Sequence, residues 1–582
     1  MVGQQGAKVA SKGSESWLNR LQNKDWKLYA GVIGAVALAA LGVGAIYYST
    51  RPSNRGDKKK PKKGSKGSSD SSDIQPLLEE VSPKEVSESD SKLQGYFAMS
   101  AVDIAKLIND EREEISKRLK EEGNEKFRRS DYNEAIRCYS KGIEFKPHAV
   151  LYCNRAACQA NLRNYNETIE DCNLALALNK QYLKAYLRRG QAYEKLSRQR
   201  EALDDYTAAH ILSESRNNVA SSSVERVLTN IASAEAREVF KNKVFEFPTK
   251  SVIEAFMAPF EFEIIEESDR SSSGDDAYIK ANNFMVSKKY QDAYKSVEIA
   301  LKEGTTFECD ALLLRALFRV ILRKTEEALE DADKALGFRP LEPIPYIIRA
   351  THLVEQNQIS EALECLNEAK GMNPDSFEVS YHQAQLQFMM GDFVAAVESY
   401  KECIKLRPNS VLSYVQLGVA QFKMNDSKAA DLTYRNLIKE FPKSPEAHNY
   451  YAELLMAMDR NEEALARLDE ALKCDPTFVL ASVNLAILNL QYTKDFARAE
   501  VYCLKALEGD PESDVANATL AQIYLVQNKN KEAAVAFQRC IEYARTEKEV
   551  EAAASYKEAA LAQIRFYEAH PEIAQVSDLI SS

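Results

Sequence analysis

The sequence predicts an all-α fold, a superhelical array of about 11 helix–turn–helix units with one N-terminal transmembrane helix. The first observation is a ladder of prolines at 340, 374, 408, 442, 476 and 511, in steps of 34 or 35 residues. The second is an alanine twelve residues before each of these prolines. The third is an uncharged run of 21 residues, from Leu28 to Tyr48, which as a helix is long enough to cross a bilayer.

The period of 34 is typical of tetratricopeptide repeats (TPR), in which each unit is a helix–turn–helix. Small residues let the two helices approach closely, and proline ends the second helix because it lacks an amide proton and clashes with the preceding turn. One pair cannot bury its apolar face alone, so the units stack into a superhelix with a concave groove.

The same pattern divides the chain into segments. We expect units 1–3 in residues 113–212 and units 4–11 in residues 275–545. The period breaks over residues 213–274, where we expect joining helices and an acidic loop. In residues 546–582 we expect a capping helix (Val550 to Tyr567) and a tail.

Residues 28–48 predict a signal anchor that follows a short N-terminal segment, residues 1–27. Eight Lys and Arg lie between Arg51 and Lys66, against five before the run, so the bulk of the chain should face the cytosol. A modest Ala/Gly-rich anchor before a basic cluster is typical of the mitochondrial outer membrane, whereas anchors of the endoplasmic reticulum are usually richer in Leu and Ile. Residues 49–112 are basic and then acidic, and their composition predicts a disordered tether.

Composition also restricts the class of function. Residues 1–68 carry 13 Lys and Arg against 3 Asp and Glu, so the full-chain balance of −11 leaves the remainder strongly acidic and argues against nucleic acid as the main partner. The ten cysteines and six histidines are dispersed, without CxxC pairs or metal-ligand spacing. No P-loop, GxSxG motif or dinucleotide fingerprint occurs outside the repeats, so we expect a binding protein without a cofactor rather than an enzyme.

Five polar residues in the first cluster predict a peptide site. Residues four apart share a helix face, and first helices line the concave side, so three cations and two amides should converge on one stretch of groove. Ionised oxygens accept charge-assisted hydrogen bonds from such groups, which suits a peptide that ends in carboxylates. The alternative is that these are ordinary solvated side chains. The five residues are Lys120, Asn124, Asn154, Lys184 and Arg188.

These positions match the dicarboxylate clamp of co-chaperone TPR domains, and the first cluster resembles that family. The resemblance implies a partner, the acidic EEVD-type tail of cytosolic heat-shock chaperones of the seventy- and ninety-kilodalton classes. It also implies roles: Lys120, Asn124 and Asn154 would surround the terminal carboxylate, and Lys184 and Arg188 would help to hold the acidic terminus.

The whole arrangement of anchor, clamp, a joining segment that contains Phe256 to Phe260, and eight further units resembles the large TPR import receptors of the mitochondrial outer membrane. These are subunits of the TOM translocase. The resemblance implies docking of chaperone-held precursors, especially carrier-type proteins with internal targeting signals, and contact with other translocase subunits. The long extension before the anchor departs from the family. Two alternatives remain open, a membrane-anchored co-chaperone scaffold on another organelle and a structural assembly platform.

A precursor-binding groove is a further hypothesis, for units 7–9. One column of first-helix residues, spaced by 34, would form a flexible apolar strip, and a second column lies on the neighbouring row. The alternative is that these side chains belong to the core between repeats. The first column is Phe388, Phe422 and Met456, and the second is Tyr381, Val415 and Asn449.

Overall fold

The computed structural model describes residues 89–241, 243–266 and 272–573, and all regular structure in these ranges is helical. Two compact units are present. In the described ranges, the first contains the residues up to Ala234 and those from Glu558 onward, and the second contains Glu235–Lys557. The membrane anchor predicted over residues 28–48 lies outside the described residues, and within them no helix is both long and apolar enough to cross a membrane.

The first compact unit holds three antiparallel helix pairs, which we call repeats 1–3. They are followed by the helix Asn218–Lys241, which begins in this unit. The pairs are Asn109–Arg128 with Tyr132–Phe145, Ala149–Asn161 with Tyr165–Leu178, and Leu183–Lys195 with Gln199–Leu212.

The second compact unit holds the helix Lys250–Met257 and eight further pairs, repeats 4–11, so the described residues contain the eleven pairs that the period predicts. The pairs are Ser273–Val286 with Tyr290–Glu303, Glu308–Ile321 with Thr325–Phe338, Ile344–Glu355 with Ile359–Met372, Phe377–Met389 with Phe393–Leu406, Val411–Lys423 with Ser427–Glu440, Pro445–Ala457 with Asn461–Cys474, Val479–Leu488 with Phe496–Gly509, and Asp514–Val526 with Asn530–Tyr543.

In repeats 1 and 8 the small residue of the first helix is a glycine that faces the second helix of the same repeat. A Cβ atom added to Gly123 would lie 2.6 Å from the ring of Tyr139, and one added to Gly418 would lie 2.4 Å from the ring of Tyr434. In both repeats the tyrosine follows the glycine by sixteen residues, and its side chain is buried. The absence of a side chain therefore sets the distance between the two helices.

Proline ends the second helices of repeats 5–10, as the period predicts. The last helical residue is followed by a C-cap residue such as Arg339 or Asp475, whose backbone is extended, and then by the proline. A residue before proline is driven out of the α region by the pyrrolidine ring, so the chain must turn there.

The one interval of 35 residues has a local cause. The first helix of repeat 10 continues from Leu488 into a π-helical turn, Asn489–Thr493. A π turn holds one more residue than an α turn. The register of the following helix is therefore kept, and Ala499 is fully buried like its counterparts in the other repeats.

The prediction of a disordered tether over residues 49–112 is wrong at its C-terminal end. Helices Ser89–Ala98 and Ala101–Lys106 precede repeat 1, and the first helix of that repeat already begins at Asn109. Leu93, Tyr96 and Phe97 pack with the buried Ile104 against repeat 1. These apolar side chains lie within an acidic, Ser-rich stretch, so its average composition predicts disorder although the stretch packs on repeat 1.

The last helix, Glu547–Ala569, is longer than the predicted capping helix and has residues in both compact units. In the second unit, Tyr556 stacks on Phe537 of repeat 11 at 5.2 Å between ring centroids, as expected of a cap. In the first unit, Arg565 pairs with Asp204 of repeat 3 at 2.7 Å, and Phe566 joins the core of repeats 2 and 3.

Candidate functional site

The five predicted clamp residues lie on the first helices of repeats 1–3. First helices of successive repeats also contact one another, whereas second helices contact mainly their neighbours in sequence. The first helices therefore line the inner side of the array. Lys120 and Asn124 come from repeat 1, Asn154 from repeat 2, and Lys184 and Arg188 from repeat 3.

The two asparagines touch each other. Asn154 Nδ2 donates to Asn124 Oδ1 at 3.1 Å, and the hydroxyl of Tyr139 donates to the same oxygen at 2.7 Å. Asn124 is only 9% exposed. Because its oxygen is held by two donors, its amide nitrogen is the group left to donate to a ligand.

Arg188 is fixed beside this pair. Its guanidinium donates to the main-chain carbonyl of Cys153, the residue before Asn154, and lies 3.0 Å from the Cys153 sulfur. Burial raises the pKa of the Cys153 thiol, which therefore stays neutral. No carboxylate in the described ranges forms an ion pair with Arg188 or Lys120, so a carboxylate ligand could pair with either without displacing another carboxylate.

Neighbouring arginines on the same helices have a different role. Arg155 pairs with Asp171 at 2.6 Å and Arg189 pairs with Asp205 at 2.6 Å, and both carboxylates are nearly buried. The same spacing of sixteen residues joins Arg315 to Asp331 in repeat 5. These ion pairs tie the two helices of a repeat together. Sequence reasoning missed them, although an Arg followed sixteen residues later by Asp is a readable signal.

The six residues predicted for the precursor groove fall into two classes. Tyr381, Phe388, Val415 and Asn449 are buried, with exposed fractions of 0–3%. Phe422 and Met456 are partly exposed and pack against the core of repeats 8–10, to which Val415 also belongs. Tyr381 and Phe388 belong instead to the core of repeats 7 and 8.

Asn449 belongs to a polar cluster that sequence reasoning missed. Its Nδ2 donates to Glu453 at 2.9 Å, while Asn484 Nδ2 donates to Asn449 Oδ1 at 2.9 Å and to Glu453 at 3.0 Å. Burial raises the pKa of Glu453 to about 8, so the carboxyl is largely protonated at neutral pH. Glu453 directly follows the small residue Ala452, as Asn124 follows Gly123, and this shared position was the available signal.

Comparison with known proteins agrees with the repeat architecture. A profile described as "Tetratricopeptide repeat protein 21 ARM repeat" matches residues 341–507. The "Mitochondrial import receptor subunit TOM70" of Homo sapiens is 27% identical over 571 residues, which is 92% of this chain and 91% of that protein. The protein of the same name from Saccharomyces cerevisiae (strain YJM789) is 25% identical over 507 residues, 79% of this chain and 82% of that protein.

A solved structure shows the same fold. "Crystal Structure of the Yeast Tom70" superposes with a TM-score of 0.52 at 24% identity, and the match covers 79% of this chain and 98% of that one. With eleven helix pairs and sequence similarity over most of its length, the chain is similar to the mitochondrial import receptor subunits named TOM70.

Proposed function

We propose that the chain is a mitochondrial import receptor that docks cytosolic chaperones through their acidic C-terminal tails and accepts hydrophobic precursors with internal targeting signals. It passes them to the outer-membrane translocase. One observation carries the docking step: an asparagine pair, Asn124 with Asn154, lies beside Arg188, which has no carboxylate partner among the described residues. Homology to TOM70 supports the organelle and the role in import.

A peptide that ends in carboxylates would complete this site. The free amide of Asn124 can donate to the terminal carboxylate without bringing charge of its own, and Lys120 and Arg188 add charge-assisted hydrogen bonds. Each such bond contributes about 1.5–3 kcal/mol, so the loss of one should weaken binding about tenfold or more. Lys184, one turn before Arg188, would hold an acidic side chain upstream of the terminus.

Precursors would bind the second array. Phe422 and Met456 offer partly exposed apolar surface on the first helices of repeats 8 and 9, and the cluster of Asn449, Glu453 and Asn484 lies in repeats 9 and 10. Apolar side chains give a precursor contact area, and Glu453, the partly exposed member of the polar cluster, can hydrogen-bond to main-chain groups of an unfolded segment. The groove is thus mixed rather than a continuous apolar strip.

The anchor completes the proposal. Residues 28–48 would span the outer membrane once, with the N-terminus in the intermembrane space and the repeats in the cytosol. Fusing residues 1–70 to a fluorescent reporter tests the organelle. Mitochondrial signal supports the proposal, and signal on another organelle favours the alternative, a co-chaperone scaffold there.

Substitution of the clamp tests chaperone docking. Arg188→Ala removes one charge-assisted contact, so we expect the affinity for a labelled EEVD peptide to fall about tenfold or more. Arg137→Ala, on the second helix of repeat 1, removes an exposed charge and serves as the matched control. Equal affinities of the two variants would contradict the proposed site, provided that circular dichroism shows both to be folded.

A further inference from the structure

Residues 258–266, in the second compact unit, form neither a helix nor a strand. They connect the helix Lys250–Met257 to repeat 4, and over residues 260–263 the side chains alternate in exposure. Phe260 is 7% exposed and Phe262 is partly buried, whereas Glu261 and Glu263 are exposed. Alternation of buried and exposed side chains is what an extended chain shows when it lies on a surface.

Side chains of the repeats hold the main chain of this segment. Arg407, which follows repeat 7, donates to the carbonyl of Pro259 at 2.8 Å. Asn282 of repeat 4 donates to the carbonyl of Glu263, and the adjacent Asn283 accepts from the amide of Ile265 at 3.2 Å. Contacts to main-chain groups do not depend on the side chains that the segment carries, which is how peptide grooves bind extended ligands.

The side chains of the segment add apolar and ionic contacts. The ring of Phe260 lies 5.7 Å from the imidazole of His382 in repeat 7. Glu261 pairs with Arg407 at 2.9 Å, and Arg407 also pairs with Glu378 at 2.8 Å. The segment is therefore bound from repeat 4 to the end of repeat 7.

The position of Asn282 in its repeat connects this groove to the clamp. Asn282 directly follows the small residue Ala281, as Asn124 directly follows Gly123. Asn124 is the residue whose amide is left to donate in the clamp, and Asn282 donates to a peptide carbonyl. The same repeat position thus places an amide donor in both arrays.

The groove extends beyond its occupant. A cavity of about 540 Å³ lies beside the segment, and repeats 4–6 contribute most of its lining. Apolar side chains there include Tyr278, Leu313, Leu317 and Ile344, while Asp310 and Glu342 bring carboxylates. Space for further side chains remains next to a chain that is already bound.

We propose that residues 259–265 are an intramolecular occupant of a peptide groove in repeats 4–7, and that an extended client segment with apolar residues at alternate positions binds there by displacing them. The proposal rests on the proposed function, because it takes precursors as the clients. While the segment is bound, only the fraction of molecules with an open groove can bind a client. The apparent affinity is reduced by that fraction.

The test weakens the occupant and measures binding in trans. The double variant Phe260→Ser, Phe262→Ser of the full chain is titrated with a labelled free peptide that has the sequence of residues 258–266. We expect at least tenfold tighter binding than to the unchanged chain. Ile264→Ser, which alters an exposed side chain of the same segment, is the matched control and should leave the affinity unchanged. A folded double variant that binds no more tightly overturns the proposal.

Hydrogen exchange of the unchanged chain gives a second measurement that does not depend on the variant folding. A bound carrier-precursor peptide should speed exchange at the Ile265 amide, which Asn283 holds in the free chain. Unchanged or slower exchange on binding overturns displacement and leaves precursor binding intact. If no precursor peptide binds, but the double variant binds the 258–266 peptide, the groove stands and the precursor role fails.

Discussion

The close approach of helices in repeat 8 can be tested at Gly418. In Gly418→Ala the new Cβ would lie 2.4 Å from the Tyr434 ring, far inside van der Waals contact. Overpacking of this kind costs about 1–3 kcal/mol. Alanine is favoured over glycine in a helix by about 1 kcal/mol, which offsets part of that cost. We expect a net loss in the free energy of unfolding of up to about 2 kcal/mol, the difference between these two terms.

Gly371→Ala is the matched control for this prediction. Gly371 also lies in a helix, Ile359–Met372, but a Cβ added there meets no atom within 4 Å. Only the propensity term remains, so this variant should be stabilised by about 0.5–1 kcal/mol. Urea unfolding of both variants separates the two terms. Shifts of equal sign and size would refute the argument that the missing side chain at Gly418 sets the helix distance.

Three further predictions concern the second array. Glu453→Gln should remove a pH dependence of unfolding. Burial raises the pKa of Glu453 in the folded chain to about 8 from 4.5, so between these values the unfolded chain binds fewer protons and the free energy of unfolding falls as pH rises. The urea midpoints at pH 5 and pH 8 should therefore differ less in the variant than in the unchanged chain. Asp331→Asn removes the buried carboxylate that pairs with both Arg315 and Arg319 and should cost about 3–5 kcal/mol. Asp333→Asn changes a side chain that is 65% exposed on the same helix and should cost under about 1 kcal/mol in the same unfolding assay. Phe422→Ala should weaken carrier-precursor binding and leave the melting temperature nearly unchanged. Phe388→Ala, at a side chain that is 3% exposed, should lower the free energy of unfolding by about 3–5 kcal/mol and leave precursor binding by the folded protein unchanged. Normal binding by a destabilised Phe422 variant would place that residue in the core.

The repeat architecture could be predicted because its physical requirements recur at a fixed period. A small residue is needed wherever two helices cross closely, and Gly418 with Tyr434 shows the contact that enforces it. Proline before a turn ends each helix in the same place. The extra residue before Pro511 was also visible in the sequence, but whether it formed a bulge or a longer loop depended on the packing that holds Ala499 in register.

Segments without a period could not be placed from sequence. Arg407 and Asn282 hydrogen-bond to the main chain of residues 258–266. Because these two residues lie far apart in the chain, no local sequence pattern indicates that they bind the same segment. The last helix likewise contacts repeat 3 through Arg565 and Asp204, 361 residues apart in sequence. Burial of Phe388 was equally hidden, because one helical spacing suits a groove and a core.

The clamp could be predicted from the sequence only in part. Residue types and spacing placed Asn124, Asn154 and Arg188 on neighbouring first helices, and the structure brings these three together. The hydrogen bond from Tyr139 that orients Asn124 was not predicted, since it depends on the crossing of two helices. Recognition of an acidic tail by these residues stays a prediction.

The central claim is that the first array recognises a free acidic C-terminus, and one titration tests it most directly. The full chain is titrated with a labelled EEVD peptide and with the same peptide amidated at its C-terminus. Amidation removes the terminal charge and one acceptor oxygen, and the charge-assisted bonds at stake contribute about 1.5–3 kcal/mol each, so we predict at least tenfold weaker binding of the amide. Equal binding of the two peptides would contradict the account.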